Sequence, residues 1–158
     1  AHLYITADEA DDNADYWRIK NAASDNTLTF ANYTTGGYTT TLKLNPNGAL
    51  EDSKGDVRKI PLQTNASSAY TLVAADAGKA VATNGNAITI PNNIFAAGDA
   101  VTIVNNSASD VTITRAITNL YLGSDGANSA SLTLKARTTA TVFFSSANHG
   151  YISGGGLS

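Results

Sequence analysis

Chemistry needs groups that move protons, hold metals, attack electrophiles or stack on ligands, and this chain is sparing with them. It has two histidines (His2 and His149), no cysteine, and Glu9 and Glu51 as its only glutamates. A Ser-His-Asp triad is recognised by geometry rather than by sequence distance. No nucleophile-elbow motif accompanies either histidine, however, and both read as surface residues. HExxH, P-loop and GxGxxG motifs are absent. Gly154-Gly155-Gly156 lacks the strand–helix context of a phosphate cradle and reads as a flexible tail. Cleaving a polysaccharide takes two converging carboxylates, and most aspartates here lie in turn signals, where Asp is expected on structural grounds. No catalytic residue and no cofactor is assigned, and the chain is read as a non-enzyme.

Two further sets of residues bear on binding. In the acidic run Asp8-Glu9-Ala10-Asp11-Asp12-Asn13-Ala14-Asp15, residues Asp11, Asn13 and Asp15 have the alternate spacing of the first EF-hand ligands. Tyr16 then stands where that loop needs Gly, and Ala22 where it needs Glu. The run is read as a solvated loop, with no metal assigned. Tyr33, Tyr38, Tyr121 and Tyr151 lie on or beside turn signals. Exposed, they would stack on sugars; cross-strand aromatic pairing explains them as well.

These residues sit on elements that the sequence marks out clearly. Ala87 to Arg115 contains Ile88-Thr89-Ile90, Val101-Thr102-Ile103 and Val111-Thr112-Ile113-Thr114. Side chains on a strand alternate between faces, so each run sends its Ile/Val row one way and its Thr row the other. The loop Asn105-Asn106-Ser107-Ala108-Ser109-Asp110 is expected to join the last two runs as a β-hairpin. Upstream, Tyr16–Lys20, Thr27–Asn32 and Tyr38–Leu44 read as a three-stranded meander after a short strand at His2–Thr6, with Trp17, Ile19, Leu28, Phe30, Leu42 and Leu44 inward. Such a module buries too little to stand alone and must lean on a neighbour. Val57–Leu62 is expected to restart a strand. Ala74 to Gly78 reads as a turn or one helical turn closed by glycine, and Asn92 to Ala97 as another single helical turn, with Ile94 and Phe95 expected to cap the core. Ile117–Leu122, Ser131–Ala136, Ala140–Phe144 and His149–Ile152 complete the strands. The fold class is therefore all-β: a small β-meander module at residues 1–55, then an antiparallel β-sandwich or barrel-like domain at residues 56–158.

Composition narrows the class of function. The chain has 158 residues, 42% hydrophobic but only 15% charged; Thr, Asn and Ser supply the remaining polarity. A net charge of −3, with basic residues scattered, argues against nucleic-acid binding, which needs clustered Lys and Arg. No run approaches a membrane span, so no membrane insertion is expected. A start at Ala1 suits removal of an initiator Met, and synthesis in the cytoplasm is expected.

Ala14-Asp15-Tyr16-Trp17-Arg18-Ile19, Asn32-Tyr33-Thr34-Thr35-Gly36 and Leu42-Lys43-Leu44-Asn45-Pro46-Asn47-Gly48 resemble a small β-module of tailed-bacteriophage fibre and virion proteins. Three later blocks occur in order: Ala69 to Lys79, Phe95 to Ser107, and Tyr151-Ile152-Ser153-Gly154-Gly155-Gly156-Leu157-Ser158. They resemble a C-terminal β-domain of phage tail fibres and related appendages. The resemblance implies a virion structural protein, a homotrimer without enzymatic chemistry, whose partners are the major capsid protein or tail proteins. The chain is short and has no long shaft, so capsid decoration, as a cement or head-fibre protein, is expected ahead of a tail fibre recognising a host surface glycan.

Overall fold

Alternation with a period of two dominates the chain, and the computed structural model is all-β. It describes residues 1–6, 16–34, 36–64 and 68–158; the acidic run at 8–15 lies outside the described residues. No α-helix occurs among the described residues. The chain divides into two compact units, Ala1–Ile60 and Pro61–Ser158.

The first unit is one antiparallel six-stranded sheet in sequence order. Its strands are β1 (His2–Thr6), β2 (Tyr16–Ala22), β3 (Thr27–Tyr33), β4 (Tyr38–Leu44), β5 (Leu50–Asp52) and β6 (Gly55–Asp56). The β2–β3 turn holds Asn26 at φ 56°, and Asp25 Oδ1 accepts from Thr27 N at 3.2 Å and Thr27 Oγ1 at 2.8 Å. Gly48, at φ 83°, closes the β4–β5 turn. The unit ends five residues beyond the expected boundary at 55, because β6 pairs with β5 and Asp56 folds the chain back through a turn. The strand expected at Val57–Leu62 is replaced by that turn, and pairing resumes only at Leu62.

Register places Leu3, Ile19, Phe30 and Leu42 in one cross-strand row, with Ile5–Trp17 on one side of it and Leu28–Leu44–Leu50 on the other. The expected apolar row therefore exists, but it is not a closed core. Leu3 is 58% exposed, Ile5 49%, Trp17 40% and Leu44 41%. The physical reason is topological: all six strands belong to this one sheet, so the described residues of the unit supply no second layer to cover them. Among its described residues only Thr27 and Ala31 are fully buried, and both lie on the opposite face.

The second unit does have two layers. Strands β7 (Leu62–Thr64), β9 (Ala80–Thr83) and β11 (Ala100–Asn105) run parallel in one sheet; β8 (Tyr70–Thr71), β10 (Ile88–Ile90) and β12 (Val111–Arg115) run parallel in the other. The chain alternates between sheets, so each parallel crossover passes through a strand of the opposite layer instead of a helix. β13 (Asn119–Leu122), β14 (Ser131–Leu134), β15 (Thr139–Ser146) and β16 (His149–Ser153) complete the orders β14-β12-β10-β8 and β13-β16-β15-β11-β9-β7. Ile88, Ile90, Ile113, Leu132 and Leu134 from one sheet meet Val81, Val101, Ile103, Leu120, Val142, Phe144 and Ile152 from the other in one core. Phe95 stacks on Phe144 with ring centroids 4.2 Å apart, whereas Ile94 is exposed.

The expected β11–β12 hairpin does not form; the sheets are mixed. Asn105, 1% exposed, turns the chain from one sheet to the other. Its Nδ2 donates to the carbonyls of Ser109, Leu134 and Lys135 at 2.8, 3.2 and 3.0 Å, and its Oδ1 accepts from Ser107 N and Oγ. The Val101/Ile103 and Val111/Ile113 rows consequently come from opposite layers rather than lying side by side.

The glycine run at 154–156 is not a free tail either. Leu157 bridges Leu134, and Thr133 and Ser158 exchange backbone hydrogen bonds at 2.7 and 3.1 Å. A Cβ on Gly154 would fall on the Thr139 carbonyl and 2.8 Å from Ala140 Cα; one on Gly156 would sit 2.6 Å from Thr138 Cβ; one on Gly155 would meet nothing within 4 Å. Gly154→Ala and Gly156→Ala should each destabilise the second unit by about 1–3 kcal/mol, since overpacking forces the backbone to shift. Gly155→Ala should stay within ~0.5 kcal/mol of the parent in urea unfolding. Equal effects at all three positions would refute the clasp.

Candidate functional site

The structure gathers the four sequence-predicted tyrosines into two separate clusters, one in each unit. In the first unit, Thr6, Tyr16, Tyr33 and Tyr38 form one cross-strand row on the face opposite Trp17, with Tyr4, Arg18, Ala31 and Thr40 in the next row. Tyr33 and Tyr38 meet edge-to-face at 5.2 Å, Tyr16 and Tyr33 at 6.2 Å, and Tyr4 and Tyr38 at 6.0 Å. Ala31 has no side chain beyond Cβ, and the Arg18 guanidinium lies 4.2 Å from the centre of the Tyr38 ring, a cation–π contact. Tyr16, Tyr33 and Tyr38 line a cavity of about 340 Å³. The sequence reading missed Tyr4, Tyr16 and Arg18. Their signal was parity: all lie an even number of residues from one another within β1 and β2, on the face opposite the apolar row.

In the second unit Tyr121 and Tyr151 are opposite one another on paired parallel strands, ring centroids 5.5 Å apart and planes inclined by 35°. Phe143 is the cross-strand partner of Tyr151, so three rings follow one another across β13, β16 and β15. Phe143 is 47% and Tyr151 50% exposed. Phe143 was not singled out from sequence because its neighbour Phe144 drew attention as the core residue. Alternation alone puts it outward, but only register puts it beside Tyr151.

The groups that might do acid–base chemistry are engaged structurally. Glu51 and Asp56 face each other across β5 and β6. Lys43 Nζ lies 2.7 Å from Glu51, and Asn45 Nδ2 donates to it at 2.7 Å; Asp56 accepts from Arg58 N and pairs with Lys59 at 3.5 Å. The bonded Lys43 ammonium holds Glu51 below the ordinary carboxylate range, and the Arg58 amide, followed by Lys59, does the same for Asp56. A glycosidase acid needs the opposite shift. Asp76, fully buried, accepts from Val73 N at 2.8 Å and from the Tyr70 hydroxyl at 3.1 Å; Gln63 Nε2 donates to the same hydroxyl. Burial, above all, raises the Tyr70 phenol. His149 Nδ1 lies 3.1 Å from Ser146 Oγ, but that hydroxyl donates to Asn148 Oδ1 at 2.8 Å, so its proton is committed to the turn. His2 Nδ1 bonds the Tyr4 hydroxyl at 2.9 Å. No three His, Asp or Glu side chains converge on a metal position among the described residues.

Depressed carboxylates tie stability to pH in a definite sense. Their contribution is complete above the unfolded-state value and is lost as pH falls through the lower folded-state value. Thermal melts of the first unit should therefore drop as the pH falls below about 4, and Glu51→Gln should flatten part of that decline. A melting temperature independent of pH through this range would contradict the ion-pair assignment. Comparison with protein-family models, with curated proteins and with solved structures finds no match for this chain.

Proposed function

We propose that the protein is a non-enzymatic structural component of a bacteriophage virion that associates as a homotrimer and decorates the capsid surface through the major capsid protein. The observation that carries this reading is the uncovered apolar face of the first unit. A sheet needs a second layer to hold its structure in water. This one presents Leu3, Ile5, Trp17, Ile19, Leu28, Phe30, Leu42, Leu44 and Leu50, with Asn21, Asn32 and Thr39 in the same rows and the charged Asp52 only at the end of β5. Arg18, Lys20, Lys43 and Glu51 all project from the other face.

Identical sheets of neighbouring copies are the occupants that fit. From strand spacing and rise, the face of β1–β4 covers roughly 450 Å². Three copies that turn these faces toward one axis bury up to roughly 1,300 Å² in total, above the ~1,000 Å² that separates specific association from casual contact. Oligomers of one chain are the commonest soluble assemblies, and the sequence resemblance to trimeric virion proteins points the same way. A second reading, a tail-fibre protein that recognises a host surface glycan, is favoured by the aromatic row Tyr121–Tyr151–Phe143.

Two measurements test the proposal. Light scattering should give a trimer at micromolar concentration, and Trp17→Lys or Leu44→Lys should shift the chain toward monomer by at least tenfold in association. Trp17 is the only tryptophan, so its emission should move to the red as the assembly dissociates. A monomeric parent would remove the oligomer. Immunogold electron microscopy of intact particles should label the heads; label at the tail tip would select the second reading, and unlabelled particles would remove both.

A further inference from the structure

The geometry points to the outer face of the β13-β16-β15-β11 sheet as a binding site for a linear, uncharged oligosaccharide that runs across the strands over Tyr121, Tyr151 and Phe143. This inference gives the glycan-recognition reading a ligand class and a surface. The inward neighbours Leu120, Val142, Phe144 and Ile152 are fully buried, which fixes the three rings on the outer face. The backbone beneath them is rigid sheet: Tyr121 pairs with Tyr151, Tyr151 with Phe143, and Phe143 with Ala100. Ring centres 5.5 Å apart match the length of one pyranose residue, so successive sugars can each set a C–H face on a ring.

The next row supplies hydroxyls. Ser153, Thr141 and Thr102 are neighbours in register, and Thr102 Oγ1 and Thr141 Oγ1 lie 3.0 Å apart. Aromatic faces with a few placed hydroxyls are what orient a sugar, whose rings are apolar on one side and polar at the rim. None of the residues that strands β11, β13, β15 and β16 direct outward is Asp, Glu, Lys or Arg. A carboxylated or sulfated sugar would lose its hydration there without gaining a counter-charge.

Size argues for a sugar over a protein. An aromatic side chain carries ~150–250 Å²; Phe143 and Tyr151 are half exposed and Tyr121 less so, so the three rings offer roughly 250 Å² in all. A stable protein interface takes about 800 Å² from each partner, and the flanking Thr and Ser would contribute well-hydrated surface to it. An oligosaccharide of three or four residues is matched to the smaller area.

The test is a glycan microarray carrying neutral and acidic linear glycans, followed by calorimetry with the best neutral oligosaccharide, on the full chain. The parent should bind neutral glycans. Tyr151→Ala and Phe143→Ala should each weaken binding at least tenfold, Tyr151→Phe should retain it, and Thr112→Ala, on the other sheet, should leave it unchanged. Both ring truncations are at the surface, and unchanged thermal melts confirm that they fold. Retention of acidic glycans alone, no neutral glycan bound by the parent, or equal binding by Tyr151→Ala would each overturn the site. So would a change in assembly mass on Tyr151→Ala without loss of glycan, which would make the row a protein contact. The array reads the sugar site in soluble protein, and the particle labelling reads location, so each reading can fail without the other.

Discussion

Every β-sheet has two faces, and in water at least one must be closed for the strands to hold together. In the second unit, alternation of β-branched residues with threonine meets this constraint from both sides. Ile88, Ile90 and Ile113 face Val101, Ile103 and Val142 across a dry interlayer, while the threonines of the same strands turn outward. The fully buried side chains of Asn105 and Asp76 do not weaken that closure, because both are hydrogen-bonded. Asn105 spends its whole side chain on loop and strand-end backbone, and Asp76 is bonded by an amide and a phenol. An unpaired buried polar group would cost about 1–3 kcal/mol, so satisfied corners of this kind are what permit tight passage between layers.

The first unit obeys the same alternation with a different outcome. Its strands sort Leu, Ile, Trp and Phe to one face and Tyr, Arg and Lys to the other, with Asn21, Asn32 and Thr39 the polar residues in the apolar rows. Yet among its described residues the only fully buried side chains, Thr27 and Ala31, lie on the tyrosine side. There the rings of Tyr4, Tyr33 and Tyr38, with the guanidinium of Arg18 against Tyr38, fold over a small residue and make their own thin cover. Aliphatic side chains are too short to do this for themselves. The hydrophobic face is therefore the open one, the reverse of the usual arrangement.

What the sequence made legible was parity, and what it concealed was pairing. Ile88, Ile103 and Ile113 could be assigned to the core from period-two alternation alone, and Trp17, Ile19 and Phe30 to a common face. Whether that face was covered could not be read, because coverage depends on a layer that local pattern does not mention. The loop from Asn105 to Asp110 has the composition of a hairpin turn, but turn formers also suit a corner between sheets. The buried bonds of Asn105 to Leu134 and Lys135, some thirty residues away, decide between the two. Gly154-Gly155-Gly156 looked flexible because glycine permits freedom; here two of the three serve close approach. The same gap explains the sites: tyrosines at 33 and 38 flank one turn, whereas Phe143 joins Tyr151 only through strand register.

Placement of charge separates the two aromatic clusters further. In the first unit the tyrosine rows adjoin Arg18, Lys20 and Lys43, and the Tyr38 ring already holds a cation against it. Its rings touch one another edge-on and lean over Ala31, so much of their area is spent within the sheet. The row Tyr121–Tyr151–Phe143 has no ionic neighbour on its face, and Ile152 and Val142 beneath it are closed off by the core. Tyr121 and Tyr151 touch each other, but the rings of Tyr151 and Phe143 keep about half of their surface open to solvent. A protein that needed those rings only for stability would have turned them inward, where burying one contributes about 1.5–3 kcal/mol. Their outward, in-register arrangement on a sheet whose inner face is closed by the core is what a rigid recognition surface requires.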